Sequence, residues 1–276
     1  MYVGFELEGL TKLFFGKTFD FYLGLGKIQF LENTKTIETT LESFLNDDGT
    51  LNGDRMQSAW FPDIKADIFI SHSHADEKLM IAFAGWLKLH FKLNVFIDSC
   101  LWNYSKDLQI MLDEQYGNIG TSRNGSWVDY DSVLLSSSHV HMMLNTALMH
   151  MIDNTECIIF VNTPNSVKPK AVIDKVISPW IYSELAMTKL VRKKELKEYR
   201  KIEIMFEHHE RIYSEKKIPI EYNLKTSHLM KLNLDLLRKW KMDCLHSNFL
   251  KNKRMSSYQQ KSLDVLYRNL PEYLIK

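Results

Sequence analysis

Cysteine is scarce in this chain. Cys100, Cys157 and Cys244 are the three present in 276 residues, an odd number without paired metal-ligand spacing. That argues against a disulfide framework or a cysteine-rich zinc site, and leads us to expect a reduced, cytoplasmic protein. Long apolar runs are missing as well: none approaches the roughly 20 residues needed to cross a bilayer. The start, Met1-Tyr2-Val3-Gly4-Phe5-Glu6, lacks the basic opening and apolar stretch of a signal peptide, so a soluble protein is expected. Neither sign of charge is in excess. With 35 Lys and Arg against 34 Asp and Glu, a formal net charge of +1 gives no global reason to expect nucleic acid or a membrane as partner. Internal repeats and low-complexity tracts are absent too. What remains is an ordinary globular composition, 45% hydrophobic and 25% charged, with enough chain for a sizeable core.

Residues 1–62 read as an N-terminal, partly helical extension, with helical spacing over Thr36–Leu45 and a stop at Asn46-Asp47-Asp48-Gly49. The rhythm then changes. Ala66–Ser71, Leu93–Asp98 and Glu156–Val161 are short apolar runs suited to strands buried on both faces. Helical patterns follow each of them, at Leu79–Phe91, Lys106–Gln115, Val140–Ile152 and from Trp180 onward. A Gly/Ser/Asn-rich stretch, Gly117–Ser126, reads as an insertion loop. Lys201–Phe206 and Ile218–Tyr222 are weaker strand candidates, and helices are expected near Ser227–Lys241 and Tyr258–Leu270. Strands alternating with helices predict a parallel sheet with helices on both faces, whose ligand crevice lies beyond the carboxyl ends of the strands.

One acid stands out. Ser178 is placed to cap a helix that Pro179 opens, and three- and four-residue steps put Ile177, Trp180, Ile181, Glu184, Met187 and Val191 on one stripe. A carboxylate within an apolar stripe is costly. The (i, i+4) neighbours of Glu184 are Trp180 and Thr188, so no cation on its own helix face accounts for it. It is either a rim residue reaching water or a functional group facing the crevice.

Ile68-Phe69-Ile70-Ser71-His72-Ser73-His74-Ala75-Asp76 resembles the first strand and following turn of bacterial Toll/interleukin-1 receptor (TIR) domains. Val95-Phe96-Ile97-Asp98 is similar to their second strand and the start of the BB loop. Trp180 and Glu184, spaced Trp-x-x-x-Glu, resemble the helix that carries the catalytic glutamate of enzymatic members. The three motifs stand in family order, and the resemblance spans residues 63–245, with 246–276 left as a C-terminal helical tail. It implies a flavodoxin-like parallel sheet of about five strands. It also implies cleavage of NAD+ at the nicotinamide–ribose bond, giving nicotinamide with ADP-ribose or a cyclic signalling nucleotide. NAD+ is then the substrate and no resident cofactor is needed. Glu184 would be the catalytic carboxylate; Ser71, His72, Ser73, Asp98, Trp102, Trp180 and Tyr182 would line the substrate site. The closest likeness is to TIR proteins of anti-phage defence, which implies a downstream effector protein that responds to the product, and a homo-oligomer. His72 and Ser73 stand where many members carry bulkier or basic residues, and the stretch after residue 116 is an insertion.

Two other readings compete. A TIR module can be a non-catalytic interaction scaffold, although such members generally lack the glutamate. His72-x-His74-x-Asp76 also has the form of a zinc motif of a metal-dependent hydrolase. It continues with Glu77 where that family has another His, and His139, His141, His208 and His209 have no fixed relation to it. Met142, Met143, Met149 and Met151 read as packing residues, Lys189–Lys194 as a solvated helix end, and Cys100 as an inert thiol.

Overall fold

The computed structural model describes residues 1–14, 16–32, 40–97, 99–116, 120–122, 125–127, 129–167, 175–176, 178–200, 222–223, 226–251 and 262–270. Along the chain the elements are β1 (Val3–Glu8), α1 (Lys17–Glu32), α2 (Gly53–Trp60), β2 (Ile68–Ser71), α3 (Glu77–Phe91), β3 (Val95–Ile97) and α4 (Ser99–Tyr116). There follow β4 (Gly120–Ser122), β5 (Gly125–Trp127), α5 (Tyr130–Asn154), β6 (Cys157–Asn162), β7 (Lys175–Val176), α6 (Pro179–Leu190), β8 (Tyr222–Asn223), β9 (Met230–Leu232), α7 (Leu234–Lys251) and α8 (Ser262–Arg268). Five strands form one sheet in the order β3-β2-β6-β1-β9, and every pairing in it is parallel. The expected α/β architecture is therefore present.

The apolar runs explain why. Alternate residues of each strand feed opposite layers. Phe5, Leu7, Ile68, Ile70, Val95, Ile97, Ile159 and Val161 join Met80, Phe83 and Leu87 of α3 with Leu237 and Trp240 of α7 and Leu263 and Leu266 of α8. Phe69, Phe96 and Ile158 pack on the other face against Leu144, Leu148 and Met151 of α5, Leu108 and Leu112 of α4, and Met56 and Trp60 of α2. Each such side chain contributes about 1.5–3 kcal/mol on burial.

The sheet is not assembled as the sequence suggested. Val3–Glu8, read as part of an extension, is an interior strand: Val3 pairs with Cys157 and Phe5 with Met230. At the other end, the tail's Leu263 and Leu266 are fully buried, and the Trp240 ring stacks on Phe91 at 3.8 Å. The boundaries drawn at 62 and 245 thus do not separate packed units. Counted along the chain, the strand order is 3-2-4-1-5 rather than the flavodoxin 2-1-3-4-5, because the N-terminal strand takes the fourth place. Met230–Leu232, expected as helix, is the edge strand, and α7 begins only at Leu234. Of the Thr36–Leu45 helix, residues 36–39 lie outside the described residues and Leu41–Phe44 is a single 3-10 turn. The strand candidate Lys201–Phe206 lies outside them as well, as does Ile218–Tyr222 apart from Tyr222 itself.

Interior β1 carries an acid. Glu6 is buried, accepts 2.8 Å from Asn162 Nδ2, and meets Lys231 Nζ of the edge strand at 2.8 Å. Burial opposes its ionisation, but hydrogen bonds from Lys231, Thr226 and Asn162 prevail and hold the carboxyl below its ordinary 4.5. A lowered folded pKa means stability that is present above the ordinary value and lost as pH falls through the folded one. The stability difference between wild type and Glu6→Gln should therefore be largest near neutrality and shrink below about pH 4.5. Urea unfolding midpoints across that range measure it; parallel curves for the two proteins would contradict it.

Candidate functional site

Neighbouring strands β2 and β6 send their following chain to opposite sides. After β2, α3 packs in the layer of Ile68 and Ile70; after β6, α6 packs over Phe160, with Ile181 and Leu185 touching it. A crevice forms at such a switch point, beyond the carboxyl ends of the two strands. The end of β2 is Ser71, and its side chain points to the α6 side.

Helix α6 begins as the sequence predicts. Ser178 Oγ accepts from Ile181 N at 3.4 Å and Pro179 takes the first helical position. One turn on, Glu184 is fully buried, and Ser71 Oγ donates to its Oε2 at 2.6 Å. That is a short O–H···O hydrogen bond. A side chain from the first motif, at the end of β2, thus meets one from the third, 113 positions apart in the chain.

The adjacent turns are tied together. Asp76, nearly buried, accepts from Thr163 Oγ1 at 2.5 Å on one oxygen and from Asn165 Nδ2 at 2.7 Å on the other. Its own N–H closes the 3-10 turn on Ser73 O at 2.8 Å. Thr163 N donates to Ser166 Oγ at 2.9 Å, and Ser166 N returns a bond to Thr163 Oγ1 at 3.2 Å. None of Thr163, Asn165 and Ser166 was singled out from the sequence. The signal was the polar cluster Asn162-Thr163-Pro164-Asn165-Ser166, dense in side chains that bond their own turns.

The other predicted residues divide. His72 is buried beside Ser71, and Ser73 is half-buried at the head of the 3-10 turn. Asp98 lies outside the described residues; Trp102 falls within α4, with only its backbone described. Trp180 is half-buried, and its ring packs 5.5 Å from that of His141 on α5. Tyr182 is 46% exposed and roughly 200° around the helix from Glu184, so the structure does not bring it to the carboxylate. For the zinc motif, Asp76 has both oxygens engaged by Thr163 and Asn165, and His74 is half-buried. Among the described residues no three His, Cys, Asp or Glu side chains converge to hold a metal ion. A cleft of about 520 Å³ lies elsewhere, between Leu51, Met56, Leu112, Leu135 and Met143, and shares no residue with the Glu184 site.

No described helix is long and apolar enough to cross a membrane. No family model matches the chain, and neither a curated protein nor a solved structure matches it.

Proposed function

We propose that this protein is a TIR-type NAD+ nucleosidase or cyclase in which Glu184 is the catalytic carboxylate. One observation carries the reading: an acid on the helix after β6, buried at the switch point and held by Ser71 at 2.6 Å. The chemistry suits such a group. The bond between the nicotinamide nitrogen and ribose C1′ breaks, its electron pair staying on nitrogen, so the leaving group departs neutral and needs no acid. Positive charge develops on the ribose, where a fixed carboxylate in a dry crevice stabilises it more than it does the ground state. Water, or a nucleophilic atom of the same nucleotide, then attacks C1′; water loses its proton, yielding ADP-ribose. The Ser71 hydroxyl on Glu184 stands where a ribose hydroxyl would donate. Because Glu184 is fully enclosed, the wall over it has to open as substrate enters. The product would act on an effector protein, as in anti-phage defence.

That enclosure also favours a second reading, a non-catalytic interaction scaffold in which Ser71 and Glu184 are a structural pair. Incubation of the purified protein with NAD+ separates the two. Nicotinamide release by wild type, absent in Glu184→Gln, is the expected result. Wild type that is inert both as monomer and under conditions that concentrate or oligomerise it would favour the scaffold.

A further inference from the structure

We propose that Asp76 is the positioning residue of the Glu184 site, acting on Ser71 through the turn that follows β2 and on Glu184 through Thr163 and the turn that follows β6. The contacts form a closed ring. From Ser71 at the end of β2 the chain runs through His72 and Ser73 into the 3-10 turn, which Asp76 closes on Ser73 O. Asp76 crosses the switch point to Thr163 and Asn165 in the turn after β6. That turn is stiffened by the Thr163–Ser166 bonds and by Val167 N on Thr163 O at 3.0 Å. Val167 is buried in one apolar cluster with Ile181 and Leu185, the α6 residues that precede and follow Glu184. Glu184 returns to Ser71.

Asp76 thus sets the spacing between the strand end that supplies the donor and the helix that supplies the carboxylate. Two anionic oxygens accepting from a hydroxyl and an amide make strong, directional bonds in a nearly dry place. Displacing a reacting group by about 1 Å costs on the order of a hundredfold in rate, so a loosened ring should be read out in kcat before substrate binding.

Two near-isosteric changes disrupt the ring: Asp76→Asn leaves one neutral accepting oxygen in place of two anionic ones, and Thr163→Val removes the hydroxyl that Thr163→Ser keeps. The first readout needs no activity: the side-chain carboxyl 13C resonance of Glu184, assigned by its loss in Glu184→Gln. It should move in Asp76→Asn and Thr163→Val and stay in place in Thr163→Ser. The second rests on the nucleosidase reading: kcat for NAD+ should fall about ten- to a hundredfold in the two ring-cutting variants, with KM within about twofold, and recover in Thr163→Ser. A merely stabilising Asp76 would lower the thermal midpoint and leave the resonance and kcat unchanged, and that result overturns the proposal. Inert wild type with a moving resonance refutes the nucleosidase but keeps the ring; an unmoved resonance in folded Thr163→Val refutes the ring whatever the activity.

Discussion

Glu184→Gln should yield a folded protein whose nicotinamide release is slower by about a thousandfold or more, the scale on which loss of one preorganised electrostatic group is felt. Glutamine keeps the length and shape of the side chain, and its carbonyl oxygen still accepts from Ser71 Oγ. What disappears is the negative charge that would face C1′ as it becomes cationic. Stability should change little. The bond to Ser71 loses its charge assistance, about 1 kcal/mol, while the cost of keeping an anion at 0% exposure is relieved. Ser71→Ala is the contrasting variant. It retains the buried anion and removes its 2.6 Å donor, so it should cost about 1–3 kcal/mol of stability. Thermal melts read alongside a nicotinamide assay test both halves. Wild-type turnover in folded Glu184→Gln would end the proposed chemistry.

Gly85→Ala should lower the thermal midpoint by roughly 5–10 °C, although alanine is the better helix former by about 1 kcal/mol. The reason is the crossing of α1 over α3. A Cβ at Gly85 would lie 2.2 Å from Tyr22 O and 2.7 Å from Gly26 N, and one at Gly26 would lie 1.9 Å from Ile81 O. These are backbone atoms, so relief requires the two helices to part, and forced overpacking of this kind costs about 1–3 kcal/mol or more. Tyr22, which hydrogen-bonds His90 at 2.9 Å, would move with α1. Gly24 is the internal control: nothing lies within 4 Å of a Cβ placed there, so Gly24→Ala should stabilise by about 0.5–1 kcal/mol. A Gly85→Ala protein as stable as wild type would mean that the helices do not cross this closely.

The parts that were legible in the sequence are those whose physics is local. Ile68–Ser71, Val95–Ile97 and Cys157–Asn162 announce themselves because strands buried on both faces must be apolar throughout, and α6 because Ser178, Pro179 and a stripe mark its start. The acid in that stripe could be flagged without knowing its partner. Residues whose justification lies far along the chain were not legible. Glu6 and Glu8 interrupt the apolar pattern of Val3–Glu8, and Lys231, which bridges both, comes from the adjoining edge strand β9, far along the chain. Met230–Leu232 is too short to show its period before α7 begins. Helix α1 contains Gly24 and Gly26, poor helix formers, and the reason for Gly26 is a neighbour on α3. In the sequence Asp76 stands in histidine company, whereas its partners in the fold are a threonine and an asparagine in a turn that carries no catalytic signature.

The place of β1 has a consequence for biosynthesis. Val3–Glu8 leaves the ribosome well before its neighbours, Cys157–Asn162 and Met230–Leu232. At roughly 5–20 residues per second, the nascent strand waits on the order of ten seconds for one side and longer for the other. A naked, β-prone hexapeptide is an aggregation hazard over such an interval. Glu6 and Glu8, which spoil its apolar rhythm, put two negative charges into that hexapeptide, a pattern that opposes such pairing, and in the folded chain Lys231 meets both.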